Sequence, residues 1–223
     1  KLADVLTKTI PAFDKQKFIE LIYSPEFEAK ELKERMKHTT RILNHFMPID
    51  YSESVKLIDK TITQLRAEKI GEDSLPYMFI PDYIETYGLN DFKNSIKALE
   101  LTTQFTSCEF AVRPFILKYE LDMIGEMHKW SKHKNHKVRR LASEGSRPRL
   151  PWAMGIPFLK KDPLSILPIL ENLKNDDSEY VRRSVANSIN DIAKDHPSIV
   201  LDIVNRWSGL SKETDAIVKH GSR

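Results

Sequence analysis

The chain has 223 residues, 40% of them hydrophobic and 30% charged, and a net charge of +3. That length and composition can bury one sizeable core or a stack of helical layers, and they exclude a disordered or fibrous chain. The single cysteine, Cys108, excludes an intrachain disulfide and a cysteine-based zinc cluster, and no apolar run approaches the roughly 20 residues of a membrane helix, so a soluble cytoplasmic protein without a secretory leader is expected.

Only seven glycines occur, and apolar residues recur at spacings of three and four, so the chain should be helical almost throughout with essentially no sheet. Leu32, Met36, Ile42, Leu43 and Phe46 mark one face of a helix of about 20 residues, starting after Pro25 and stopping before Met47-Pro48. Val55, Leu57, Ile58, Ile62 and Leu65 mark the next, over about 52–67. The stretch of about 68–80, with Gly71 and Pro76, reads as a loop, and the helical pattern resumes after Pro81. Prolines at 114, 148, 151, 157, 163, 168 and 197 then cut the C-terminal half into short helices. N-terminal helices over about 1–70 and repeats over about 81–223 are expected to form a single domain.

The short helices repeat. Val-Arg-Arg occurs at Val138–Arg140 and again 43 residues later at Val181–Arg183, within the HEAT or armadillo period. Ala216–His220 follows about 36 residues further on as a looser copy. Such repeats place one helix outside and the Val-Arg-bearing helix on the inner wall of a solenoid, where these folds bind partners.

Charge is concentrated locally. Between Lys129 and Lys161 ten Lys or Arg residues surround a single carboxylate, Glu144, in LASEGSRPRLPW. A segment of this kind suits a phosphate backbone. On the helix starting near Ser178, Val181, Val185, Ile189 and Ile192 form the stripe expected to be buried, which leaves Arg183, Asn187 and Asp191 in line at i, i+4 and i+8. Shifted back by one repeat, Arg140 and Glu144 take the places of Arg183 and Asn187. One layer further upstream Glu109 and Arg113 are again four apart.

Each of these residues also has a plainer reading. Thr106-Ser107-Cys108-Glu109 fits a capping box, Arg140 and Glu144 fit a surface ion pair, Asp191 alone fits a solvated acid, and Trp152 fits a core position by periodicity. His133 and His136 give no metal-ligand spacing, and no phosphate-binding glycine loop or nucleophile elbow occurs. No metal or cofactor is expected. Acids and arginines remain, an inventory suited to cleaving a bond whose transition state is a cation.

FIPDYIETYGL (79–89), TQFTSCEFAVRPF (103–115), VRRLASEGSRPRLPWA (138–153) and SEYVRRSVANSINDIAKDHP (178–197) resemble the AlkC branch of the bacterial DNA alkylation-repair glycosylases, relatives of AlkD built from HEAT-like repeats. The resemblance runs from about residue 30 to the end. It implies an all-α, right-handed superhelical solenoid that grips double-stranded DNA as a monomer, associated with the nucleoid when acting. It also implies removal of small cationic adducts such as N3-methyladenine or N3-methylcytosine. Some members carry a further C-terminal β-domain, and DNA contacts from such a part are not expected of these residues. At the matching motif positions, Glu109, Glu144 and Asp191 stand for active-site carboxylates and Trp152 for an aromatic at the lesion. Arg113, Arg140, Arg147, Arg149, Arg183 and Asn187 would hold the flanking DNA. Two rival readings stay open: a non-catalytic HEAT-repeat protein that binds DNA structures, and a protein-interaction scaffold.

Overall fold

The structure, a computed structural model, describes residues 1–72 and 74–221. The chain divides into two compact units, Lys1–Ala111 and Val112–Arg223. All regular elements among the described residues are helical.

The first unit contains α1 (Leu2–Thr9), α2 (Lys15–Ile22), α3 (Leu32–Asn44), α4 (Tyr51–Ala67), a 3-10 turn at Leu75–Tyr77, α5 (Phe79–Gly88) and α6 (Phe92–Thr102). Asp14, Asp50 and Asp91 start α2, α4 and α6, each carboxylate accepting from a backbone N–H that the helix cannot satisfy itself. α3 is shorter than its sequence pattern. Glu31 and Glu34 close a capping box at its start, so Leu32 is 54% exposed rather than part of the buried face. The residues before it fold as turns held by Arg35, which donates from Nη2 to the Glu28 carbonyl at 2.7 Å and from Nε to the Lys30 carbonyl at 2.8 Å. Leu6, Ile58, Ile62, Leu65, Ile84 and Leu99 are almost wholly buried, each contributing roughly 1.5–3 kcal/mol of hydrophobic stabilisation.

The second unit contains α7 (Arg113–Trp130), α8 (His136–Gly145), α9 (Pro157–Lys161), a 3-10 turn at Leu164–Ile166, α10 (Leu167–Leu173), α11 (Glu179–Ala193), α12 (Pro197–Trp207) and α13 (Lys212–Gly221). α8, α11 and α13 pack side by side as one row, and α10 and α12 pack against that row. The expected stripe of α11 is in the core: Val181, Val185, Ile189 and Ile192 are at most 1% exposed.

The repeat is visible as chemistry. Arg139 donates from Nη1 to the carbonyls of His133 and Lys134, both at 3.0 Å. Its counterpart one repeat later, Arg182, donates from Nη1 to the carbonyls of Asp176 and Asp177 at 2.6 and 3.0 Å. In both layers the first arginine of Val-Arg-Arg satisfies the carbonyls of the turn before its own helix, which fixes how the chain enters the row. The second arginine, Arg140 or Arg183, is left for other work.

Candidate functional site

Asn135 caps α8 by accepting from the Lys137 N–H at 2.8 Å, and the helix ends at Gly145. A Cβ there would come within 2.6 Å of Val112 and 2.8 Å of Met127, so only glycine lets the chain leave α8 so close to α7. Residues 146–156 then form a loop turned by Pro148 and Pro151.

Three arginines anchor this loop, and a fourth, Arg140, lies beside Glu144. Arg147 reaches across the row: Nη1 donates to Glu144 Oε1 at 2.7 Å and Nε donates to Asp191 Oδ2 at 2.9 Å. It thereby joins the carboxylates of α8 and α11. Arg113, at the start of α7, donates from Nε to the Met154 carbonyl at 2.6 Å and from Nη1 to the Gly145 and Arg147 carbonyls, both at 2.9 Å. Arg149 grips Asp195 with Nη2 at 2.7 Å from Oδ1. Arg140 lies 4.1 Å over the ring of Tyr180 and 3.9 Å from Glu144 Oε1. Trp152, at the tip of the loop, is 86% exposed and has φ of 63°, a left-handed conformation that costs a non-glycine residue about 1–2 kcal/mol.

The electrostatics follow from burial. Glu144, Arg147 and Asp191 are 6%, 8% and 2% exposed. Desolvation alone would pull the Arg147 guanidinium down, but the hydrogen bond it donates to Asp191 and the charges of Glu144 and Asp191 hold it above its usual range. Arg113, fully buried without an ion pair of its own, is lowered to about 10, first by desolvation and then by the Arg147 charge. Arg140, 3.9 Å from Glu144, and Lys194, 3.7 Å from Asp191, add further positive charge around the two acids, and Glu144 Oε2 is buried with no hydrogen-bond partner among the described residues.

A HEAT-repeat family model matches residues 166–196, which cover α10 and α11. The sequence is 45% identical over 213 residues to the uncharacterized protein YhaZ of Bacillus subtilis (strain 168), covering 96% of this chain and 58% of that protein. A Pseudomonas fluorescens structure, alkylpurine DNA glycosylase AlkC bound to DNA containing an abasic site analog, matches with a TM-score of 0.89 at 37% identity, covering 99% of this chain and 60% of that one. Over nearly its whole length the chain is therefore similar to AlkC, and it contains a HEAT repeat. It spans about 60% of the length of each of these two relatives.

The structure places the sequence-predicted residues unevenly. Glu144 and Asp191 come together through Arg147, a contact that neither helical spacing nor repeat alignment reveals. Asp191 is not on an exposed polar line with Arg183 and Asn187; the Arg147 side chain covers it, while Arg183 is exposed and Asn187 accepts from His220 Nε2 at 3.1 Å. Glu109 is 6% exposed and lies in the first unit, in the turn between α6 and α7, so the Thr106–Glu109 segment does not begin a helix. Arg113 and Arg147 were expected at DNA phosphates. They are instead 0% and 8% exposed and committed within the protein, because three loop carbonyls and two buried acids need donors.

Sequence reasoning missed Tyr180 and Lys194, whose ammonium is 3.7 Å from Asp191 Oδ1. Tyr180 meets its partner only across the row, which no local pattern announces. Among the described residues no group of three or more His, Cys, Asp or Glu could hold a metal ion, and no helix is long and apolar enough to cross a membrane.

Proposed function

We propose that this chain is the helical-repeat part of a DNA glycosylase that hydrolyses the N-glycosidic bond of cationic N-alkylated bases such as N3-methyladenine or N3-methylcytosine in double-stranded DNA. The observation that carries the reading is the Glu144–Arg147–Asp191 bridge beneath a loop that exposes a strained tryptophan. The likeness to an alkylpurine glycosylase bound to DNA supports it.

A base alkylated at N3 already carries positive charge, so it leaves without a general acid. The developing oxocarbenium ion at C1′ needs negative charge nearby. Glu144 and Asp191 supply it, and Arg147, which donates to both, offsets part of their charge and so limits repulsion of the phosphates. Glu144 Oε2, which no donor among the described residues occupies, is our candidate to orient water. Trp152 packs on the lesion nucleotide. Arg140, Arg149 and Arg183 contact flanking phosphates with Asn187, the first two after exchanging part of their present contacts.

The burial of both acids also suits a second reading, a repeat protein that binds DNA structures and keeps the bridge for stability alone. Purified protein incubated with DNA treated with a methylating agent, followed by chromatography of released bases, separates them. Glycosylase action predicts cationic adducts in the soluble fraction, at least 100-fold less release for Glu144→Gln or Asp191→Asn, and retained binding of undamaged duplex. Unchanged release by both folded variants would remove the catalytic assignment, and uracil excision at a comparable rate would overturn the charge argument.

A further inference from the structure

The loop at residues 146–156 is fastened differently on its two sides. Before Trp152 its own side chains hold it: Arg147 reaches Glu144 and Asp191, and Arg149 reaches Asp195. After Trp152 the backbone bonds are long. The Ala153 N–H meets the Leu150 carbonyl at 3.3 Å and the Ile156 N–H meets the Pro148 carbonyl at 3.2 Å, beyond the usual distance of about 2.9–3.0 Å. Arg113 supplies a short contact on that side, 2.6 Å from Nε to the Met154 carbonyl, and the same guanidinium holds the Gly145 and Arg147 carbonyls on the other. One planar group therefore joins both arms of the loop, with Trp152 between them. Its origin is rigid, because Arg113 opens α7 and Pro114 takes the first turn, where a missing N–H costs no helix bond.

Stability alone does not call for this residue. Arg113 is 0% exposed, and its hydrogen bonds go to carbonyls. Burial brings its guanidinium down to about 10, the Arg147 charge adds to that, and Asp191 and Glu144 oppose it through space. Nη2 is buried with no hydrogen-bond partner among the described residues. A neutral amide would satisfy carbonyls without burying a charge. What the guanidinium adds is geometry: two nitrogens in fixed relation, set against carbonyls on either side of a residue held at φ of 63°.

We infer that Arg113 is a positioning residue for base release, acting through Trp152. By holding Met154 against Gly145 and Arg147 it sets the tip of the loop, so that the tryptophan meets the lesion nucleotide in one orientation. The effect on release rests on the glycosylase reading above. A contact displaced by about 1 Å costs on the order of 100-fold in rate, while affinity for duplex, which comes from phosphate contacts, is kept.

The test is single-turnover release of bases from methylated duplex at saturating protein, alongside binding of undamaged duplex. Arg113→Lys keeps the charge but offers one nitrogen in place of the fork, and should lower the rate constant at least about 10-fold with duplex binding within about 2-fold of wild type. In a Trp152→Ala background the same change should cost less than about 3-fold, because the residue it positions is gone. The buried Trp130 and Trp207 report on the fold of that background by their fluorescence. A glycine inserted between Trp152 and Ala153 leaves Arg113 untouched, so the answer does not depend on Arg113→Lys folding. It lengthens the arm between clamp and ring and should also lower release at least about 10-fold with binding kept. Undiminished release by either variant overturns the inference. So does an equal loss with and without Trp152, or a loss of duplex binding that matches the loss of release, since either would make Arg113 a support of the fold at large. Those outcomes leave the glycosylase reading standing, whereas wild type that releases no base overturns that reading and the inference with it.

Discussion

Two pairs of buried or half-buried acids show opposite solutions to one problem. In the second unit Glu144 and Asp191 share Arg147, whose guanidinium donates a hydrogen bond to each and joins them as two halves of one cluster. In the first unit Asp82 and Glu85 lie one helical turn apart on α5 with Lys37 and Arg41 near enough only for long-range attraction. Asp82 Oδ2 is buried with no hydrogen-bond partner, desolvation raises its pKa, and desolvation plus the Asp82 charge lifts Glu85 to about 7. Burial alone therefore does not make a carboxylate useful for stabilising a cation. A guanidinium in contact does, because it allows the charge to persist in a dry place.

The largest expected effect comes from removing that guanidinium. Arg147→Ala strands two carboxylates that are each at most 6% exposed and should cost about 3–5 kcal/mol, measured by urea unfolding. Base release should fall with it. A loss below about 1 kcal/mol would mean that the acids do not depend on their bridge, and the contrast between the two pairs would fail.

Glu85→Gln should act in the opposite direction and depend on pH. With a folded pKa near 7 against an ordinary 4.5, the folded protein binds more protons at Glu85 than the unfolded chain between those values. The wild type must therefore lose stability as pH rises through that window, and little further above it. Glu85→Gln should be neutral near pH 4 and more stable than wild type by up to about 3 kcal/mol at pH 8. Thermal unfolding at the two pH values checks it. A variant less stable than wild type at pH 8 would show that Glu85 has a stabilising partner when charged.

The helical class and the 43-residue repeat were readable because they rest on local periodicity: Val138 and Val181 are both fully buried, and Arg139 and Arg182 make the same bonds. The acids of the site were readable as residues, from their motif, but not as an arrangement. Arg147 looks like any surface cation in a basic segment, and what commits it to Glu144 and Asp191 is the distance between α8 and α11. Arg113 misled for the same reason, since its three acceptors are backbone carbonyls 32–41 residues away, and carbonyls leave no mark in a sequence. The start of α3 was misplaced because the apolar pattern outweighed a capping box whose cap is Glu31 rather than Ser, Thr, Asp or Asn.

The smallest expected effect tests whether the bridged pair serves a substrate. Trp152 holds φ of 63° and is 86% exposed, so the fold bears the strain of its backbone at a residue that mostly faces solvent. Trp152→Gly and Trp152→Ala both delete the ring, and only glycine takes a left-handed conformation without penalty, so the glycine variant should be the more stable of the two by about 1 kcal/mol. Under the proposed function the variants should nonetheless lose base release alike, by 10-fold or more, because what they share is the missing contact with the lesion nucleotide. Equal stabilities would remove the strain. Undiminished release in both would leave Glu144 and Asp191 a charge cluster that holds two helices together, as an ordinary buried ion pair does, and the second unit would differ from the first only in having found its acids a partner.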